Sequence, residues 1–94
     1  MTPSSIVRDN PKLHRFELEL DGVTAFTAYK REKGVITFVH TEVPESLSGR
    51  GVGSTLARGA LDLVRERGDR VVAQCPFIAA FIKKNAVYQD LLAR

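Results

Sequence analysis

From Leu13 to Leu20 apolar and charged residues alternate. Phe16, Leu18 and Leu20 fall on one side, and Arg15, Glu17 and Glu19 on the other. A period of two predicts a strand with one buried face. Asp21-Gly22 then supplies a hairpin turn, because both residue types tolerate a positive φ. Val23 to Lys30 alternates again, setting Val23, Ala25 and Thr27 against Thr24, Phe26 and Ala28. A second turn near Glu32-Lys33-Gly34 leads into Val35 to Val43, whose β-branched and aromatic residues predict a third strand. These three strands are expected to form an antiparallel meander.

The period then changes. Val52, Leu56, Ala60 and Val64 recur at helical spacing, with Ala57 and Leu61 widening the stripe and Arg58, Asp62, Arg65 and Glu66 outside it. A helix is predicted from about Gly51 to Arg67, stopped by Gly68. Arg70 to Gln74 forms a short strand centred on Val71-Val72-Ala73. Cys75-Pro76 opens a second helix, since proline suits a first turn, and Phe77, Ile78, Phe81 and Ile82 give its apolar face. A last turn holds Tyr88, Leu91 and Leu92. The order is β-β-β-α-β-α, an α/β (α+β) fold with a mostly antiparallel sheet. The strand–helix–strand part is expected to be a right-handed parallel crossover.

With 94 residues, the chain is read as one domain, 1–94. Residues 1–5 are expected to be a frayed terminus. Thr2-Pro3-Ser4-Ser5 is polar with no apolar run behind it, so no signal peptide is read and the expected location is cytoplasmic. No apolar stretch is long enough to span a bilayer, so no membrane partner is expected. A single cysteine, Cys75, excludes an intrachain disulfide and a cysteine-based zinc site, and two histidines, His14 and His40, do not suggest a metal cluster. The net charge of +3 permits an acidic partner without naming one. The basic residues are scattered and do not interleave with aromatics, so nucleic acid is not expected. His14 reads as a surface strand residue, and Phe26, Phe38, Phe77 and Phe81 as core.

Between the third strand and the long helix stand Gly49, Gly51 and Gly53. Glycines here let backbone approach a ligand closely, and a helix start offers unpaired N–H groups and a positive dipole end. Together they suit a phosphate or pyrophosphate, to which Ser54 can add a hydroxyl and Arg50 a guanidinium. A plain glycine-rich turn would look the same in this stretch alone. A Walker loop would need Gly-Lys-Ser/Thr, which is absent. A dinucleotide fingerprint would need a further glycine and would open a parallel sheet, whereas meander strands come first here.

Thr37 to Leu92 resembles the compact acetyltransferases of the GCN5-related N-acetyltransferase type. The resemblance rests on His40-Thr41-Glu42-Val43-Pro44 at a strand end, Gly51-Val52-Gly53 in the loop, and Cys75-Pro76-Phe77 at the second helix. It implies that the amides of Ser48, Gly49, Arg50, Gly51, Val52, Gly53 and Ser54 hold the pyrophosphate of acetyl-coenzyme A. It also implies that backbone N–H groups near Val43 polarise the thioester carbonyl. Ser48 stands where the wider superfamily has Gln or Arg, and Arg50 is expected to compensate. The two helices that larger members place between their first strands, and that help enclose the acceptor, have no room here. The acceptor side is therefore expected to be open, with an unidentified amine, a small molecule or a protein lysine, as acceptor. A monomer or weak dimer is expected.

Acetyl transfer needs a polarised carbonyl, a nucleophile and a base. His40 and Glu42 lie two apart on a strand and so share a face. Glu42 matches the position where many acetyltransferases keep a general base, and histidine acts as a base near neutral pH. Either is a candidate; two solvated polar residues would look the same. Cys75 stands at a helix N-terminus, which stabilises a thiolate, so it is a candidate acyl acceptor or proton partner; a small buried residue is the alternative. In larger relatives a tyrosine seven residues beyond this junction protonates the departing thiolate. Ile82 stands there instead, and Tyr88 lies beyond the helix. Lys83 and Lys84 end the second helix, where cations suit the dipole, and can also face cofactor phosphates. The leading reading is an acetyl-coenzyme A-dependent N-acetyltransferase. The alternative is a module that binds coenzyme A, or regulates a partner, without turnover.

Overall fold

The computed structural model describes residues 7–93, so the expectation of a frayed terminus at residues 1–5 lies outside the described residues. A single five-stranded sheet runs in chain order: β1 (Val7–Asn10), β2 (Arg15–Leu20), β3 (Val23–Glu32), β4 (Val35–Glu42) and β5 (Arg70–Ala73). The first four are antiparallel neighbours, and β4 pairs with β5 in parallel. Helix α1 (Val52–Arg67) makes the crossover, and α2 (Pro76–Lys84) follows β5. Short 3-10 helices cover Glu45–Leu47 and Ala86–Leu91.

The order is thus β-β-β-β-α-β-α, with one strand more than the pattern predicts. Val7 is the only apolar residue of β1, so there is no alternation to detect. Tertiary bonds hold this strand. Asp9 accepts from the Tyr29 hydroxyl at 2.6 Å and from Arg67 at 2.7 Å, tying β1 to β3 and to the end of α1. Gly59, inside α1, lets the two elements meet, because a Cβ there would fall on the Val7 side chain. Strand β2 starts later than predicted. Leu13 and His14 belong to the β1–β2 turn, where His14 takes φ 56° and is exposed, so it is not a strand residue.

The core lies between one sheet face and both helices. Phe16, Leu18, Ala25, Tyr29, Ile36, Phe38 and Val71 of the sheet meet Leu56, Ala60 and Val64 of α1 and Ile78 and Ile82 of α2. Phe16 packs against Tyr29 and Phe38 with ring centroids 5.0 and 5.9 Å apart. Tyr88 donates to Asp62 of α1 at 2.8 Å, and Arg65 grips Asp90 and the Val87 carbonyl, which seats the C-terminal 3-10 helix on α1. The opposite sheet face carries Arg15, Glu17, Phe26, Ala28, His40 and Glu42, half-buried or exposed, and no helix among the described residues lies over it. Phe26 is therefore not core, as predicted, but half-exposed on the open face, where Arg15 lies over its ring at 4.4 Å. Phe77 is not core either, being 40% exposed; Phe38 and Phe81 are buried as expected.

Candidate functional site

The β4–β5 ladder stops at Phe38 and Ala73. There the amides of Gln74 and Cys75 both donate to the Phe38 carbonyl, at 3.0 and 2.9 Å, and the chain turns into α2. Strand β4 runs on to Glu42, so its last residues have no strand on that edge. The two parallel strands separate here, with unpaired β4 backbone on one side and the first turn of α2 on the other.

A β-bulge decides which side chains face this opening. Tyr29 pairs with Phe38 and Ala28 with His40, so Val39 is an extra residue in β4. Simple alternation would put Phe38, His40 and Glu42 on one face. The extra residue reverses the phase. Phe38 stays in the core, while His40 and Glu42 turn to the open face beside Ala28 and Phe26. The His40 and Phe26 rings meet edge-on at 6.1 Å. Thr41 takes the helix face instead, opposite the fully buried Thr27.

Cys75 is buried at the N-terminus of α2, with Pro76 filling the first helical position. Its Sγ lies 3.1 Å from Thr41 Oγ1, which in turn lies 2.9 Å from Thr27 Oγ1. The structure thus joins Cys75 to Thr41, and places His40 and Glu42 together on the other face of the sheet. Thr41 is the residue that reading the strand by alternation missed. The available signal was a break in phase: two polar residues, His40 and Glu42, at positions where the Ile36–Phe38 pattern calls for apolar ones.

The loop between β4 and α1 is anchored by Leu47, which is 1% exposed. Gly49 and Gly51 take φ 79° and 73°, and a Cβ on either would meet nothing within 4 Å. Their glycine character serves backbone conformation, and it leaves open space where a ligand group fits. Gly53 differs: a Cβ there would lie 2.8 Å from the Phe77 ring, so this glycine serves the approach of α2. No side chain caps α1, and its first turn holds no acidic residue. The first-turn amides therefore remain available to an anion. Because Gly53 and Phe77 are each the second residue of their helix, the N-termini of α1 and α2 are adjacent. This cradle suits a pyrophosphate. Arg50 is at present paired with Asp21, Nη1 to Oδ2 2.9 Å, and both groups are largely exposed. Lys83 and Lys84 lie exposed in the last turn of α2. Tyr88 has its hydroxyl committed to Asp62; burial first, then that bond, pushes its pKa up to about 12.

The family model described as GCN5-related N-acetyl-transferase matches residues 15–91. Protein NATD1 of Xenopus tropicalis is 33% identical over 97% of this chain and 88% of its own length. Protein NATD1 of Bos taurus is 41% identical over 63% of this chain, a match that spans about half (52%) of that protein. The NMR solution structure of a GCN5-like candidate N-acetyltransferase from Staphylococcus aureus superposes with a TM-score of 0.71 at 26% identity, over 93% of this chain and 86% of that one. No helix of the described residues is long and apolar enough to cross a membrane. With its sheet, crossover helix, strand separation and glycine loop in the expected places, the chain belongs to the GCN5-related N-acetyltransferase family.

Proposed function

We propose that this chain binds acetyl-coenzyme A on the loop Ser48–Ser54 and transfers the acetyl group to an amine, in the cytoplasm. The observation that carries the reading is the placement of an uncapped helix start, with Gly49 and Gly51 open, next to the gap between β4 and β5. A pyrophosphate held by the first-turn amides directs the thioester into that gap, where backbone N–H groups near Val43 polarise its carbonyl.

Cys75 is the proposed acceptor in the first step. Its sulfur attacks the acetyl carbon, the bond from that carbon to the coenzyme sulfur breaks, and the proton leaving Cys75 passes to the departing thiolate. Thr41 holds the cysteine sulfur in place and can relay that proton. One thioester replaces another, so no tyrosine acid is needed at position 82. An amine entering from the open face then attacks the acetyl-cysteine carbonyl. His40 or Glu42 takes the amine's proton, and the Cys75 thiol is regenerated.

A second route is favoured by one observation: Cys75 is only 3% exposed, whereas His40 and Glu42 lie on the accessible face. In that route the amine attacks the coenzyme thioester directly, with His40 or Glu42 as base. The mass of the protein after mixing with acetyl-coenzyme A, under conditions that preserve thioesters, separates the two. One added acetyl on wild type and none on Cys75→Ser supports the covalent route. An unmodified wild type that acetylates an amine excludes it and leaves direct transfer. Binding without transfer to any amine in a panel points to a coenzyme A-binding module.

A further inference from the structure

Basic residues that are scattered along the sequence are gathered by the fold at the end of the sheet opposite the glycine loop. Strand β4 begins at this end with Val35 and finishes at Glu42, before the loop. The β1–β2 turn, the β3–β4 turn and the end of α1 meet here. The Tyr29 amide donates to the His14 carbonyl, and the Arg70 amide to that of Gly34. Residues 9–15, 29–34 and 67–70 hold seven of the chain's 14 lysines and arginines but only three of its 11 acidic residues, a net +4 in a chain of +3. The four arginines among them are engaged: Arg15 with Glu17, Arg31 with Asp69, Arg67 with Asp9, and Arg70 with the Leu92 carbonyl. The three lysines, Lys12, Lys30 and Lys33, are exposed and have no ion-pair partner among the described residues.

A groove of about 490 Å³ opens between the two turns, lined by Pro11, His14, Tyr29, Arg31, Lys33 and Gly34. His14 and Lys33 take φ 56° and 53°, two of the three positive values at non-glycine positions among the described residues. The third, Asp21 before Gly22, is a residue type that tolerates this conformation. Lys33 before Gly34 is not, so a cation is kept on the groove at a cost in backbone strain. Leu13, between Lys12 and His14, is 56% exposed.

Three features define the partner. The free cations are lysines, point charges without the planar fork that grips a phosphate in two places. The aromatic ring in the groove, Tyr29, is buried, so a nucleic-acid base has no exposed face to stack on. An apolar anchor, Leu13, stands among the cations. We infer that this end of the sheet is a docking surface for an acidic protein segment, whose carboxylates meet Lys12 and Lys33 and whose apolar residue rests on Leu13. Lys30 adds to the attracting field. The surface already holds carboxylates of its own, Asp69 on Arg31 and Asp9 on Arg67. The inference is independent of the coenzyme reading, since the loop lies at the other end of β4.

The test titrates the full chain with a short glutamate peptide carrying one central leucine, and reads backbone amide shifts. Controls are the same peptide with glutamine for glutamate, and a short DNA duplex. Saturable shifts are expected at residues 11–14 and 30–34, with residues 49–54 unmoved, weaker binding at higher salt, and no saturation by the glutamine peptide. Lys12 and Lys33 are exposed, so substituting them retains the fold. Lys12→Gln/Lys33→Gln should weaken binding about fivefold, the scale of two exposed ion pairs. Lys33→Gly, which adopts the same φ without strain, should bind as weakly as Lys33→Gln, because the charge is what is lost. Leu13→Ser should remove the advantage of the leucine-bearing peptide over one of glutamate alone. Absence of saturable shifts, shifts gathered at the glycine loop, or an affinity unchanged in the double variant overturns the inference. So does tighter binding of the DNA duplex than of the peptide at these residues, since the surface then reads phosphate.

Discussion

The hydroxyl of Thr41 lies 3.1 Å from the thiol of Cys75, and the two residues come from elements that separate just beyond this contact. Thr27 completes the chain, fully buried, and among the described residues no buried side-chain polar atom lacks a partner. Removing the Thr41 hydroxyl strands that of Thr27, whereas removing the Thr27 hydroxyl leaves Thr41 its contact with Cys75. Thr41→Val should cost about 1–3 kcal/mol, because Thr27 is left buried with an unmet hydroxyl. The double variant Thr27→Val/Thr41→Val should be less destabilised than the sum of the singles, since an apolar pair replaces a polar one. Chemical denaturation of the four proteins checks this; strict additivity would mean that the hydroxyls do not interact.

Gly51 and Gly53 sit two residues apart yet should fail differently when substituted. Gly51→Leu places a side chain at φ 73° in open space. It should cost about 1–2 kcal/mol for the left-handed conformation and abolish coenzyme binding in a protein that still folds. Gly53→Ala should cost about 1–3 kcal/mol by crowding Phe77, and adding Phe77→Leu should recover part of that loss. Unchanged coenzyme affinity in folded Gly51→Leu would remove the loop from the site.

Arg50 gives a prediction about charge. Its pairing with Asp21 is exposed and weak, so a coenzyme phosphate should displace the carboxylate. Arg50→Ala should lower both affinity and its dependence on salt, while Asp21→Asn should raise affinity by freeing the guanidinium. Titrations at two ionic strengths decide it. If neither variant differs from wild type, Arg50 does not reach the ligand.

The chain's two tyrosines, Tyr29 and Tyr88, are each buried with the hydroxyl on a carboxylate. Burial, followed by the Asp9 and Asp62 contacts, raises both pKa values from 10.0 to about 12. The native protein therefore holds these protons more tightly than the unfolded chain. Their contribution to stability is complete below about pH 10 and is lost as pH rises toward 12. The near-ultraviolet phenolate signal should accordingly appear late and together with unfolding. A tyrosine that ionises near its ordinary value in the folded protein would contradict these contacts.

Most of the architecture was legible because it rests on local pattern. Alternation around Phe16 and Leu18 marks β2, the Leu56–Ala60–Val64 spacing marks α1, and Gly68 stops that helix, at φ 76°. Strand β1 was not legible, because Asp9 is held by Tyr29 and Arg67, partners distant in the chain. The site was half legible. Glycines before a helix announce an anion loop, and Cys75-Pro76 announces a helix start at a strand end. Which face His40, Thr41 and Glu42 take depends on one inserted residue, Val39, whose effect is set by its register against Ala28 and Tyr29. A phase shift of one residue exchanges the sheet's two faces, and only pairing reveals it.

We propose that coenzyme A occupies the loop at the start of α1 and reaches the gap between β4 and β5. Backbone amide shifts during a titration of the protein with coenzyme A test it most directly. Saturable changes are expected, largest at the amides of residues 49–54, with further changes at Thr41, Val43 and Cys75 and little response in β1 and β2. Absence of any saturable change, or changes gathered on the open sheet face with the loop unmoved, would contradict it.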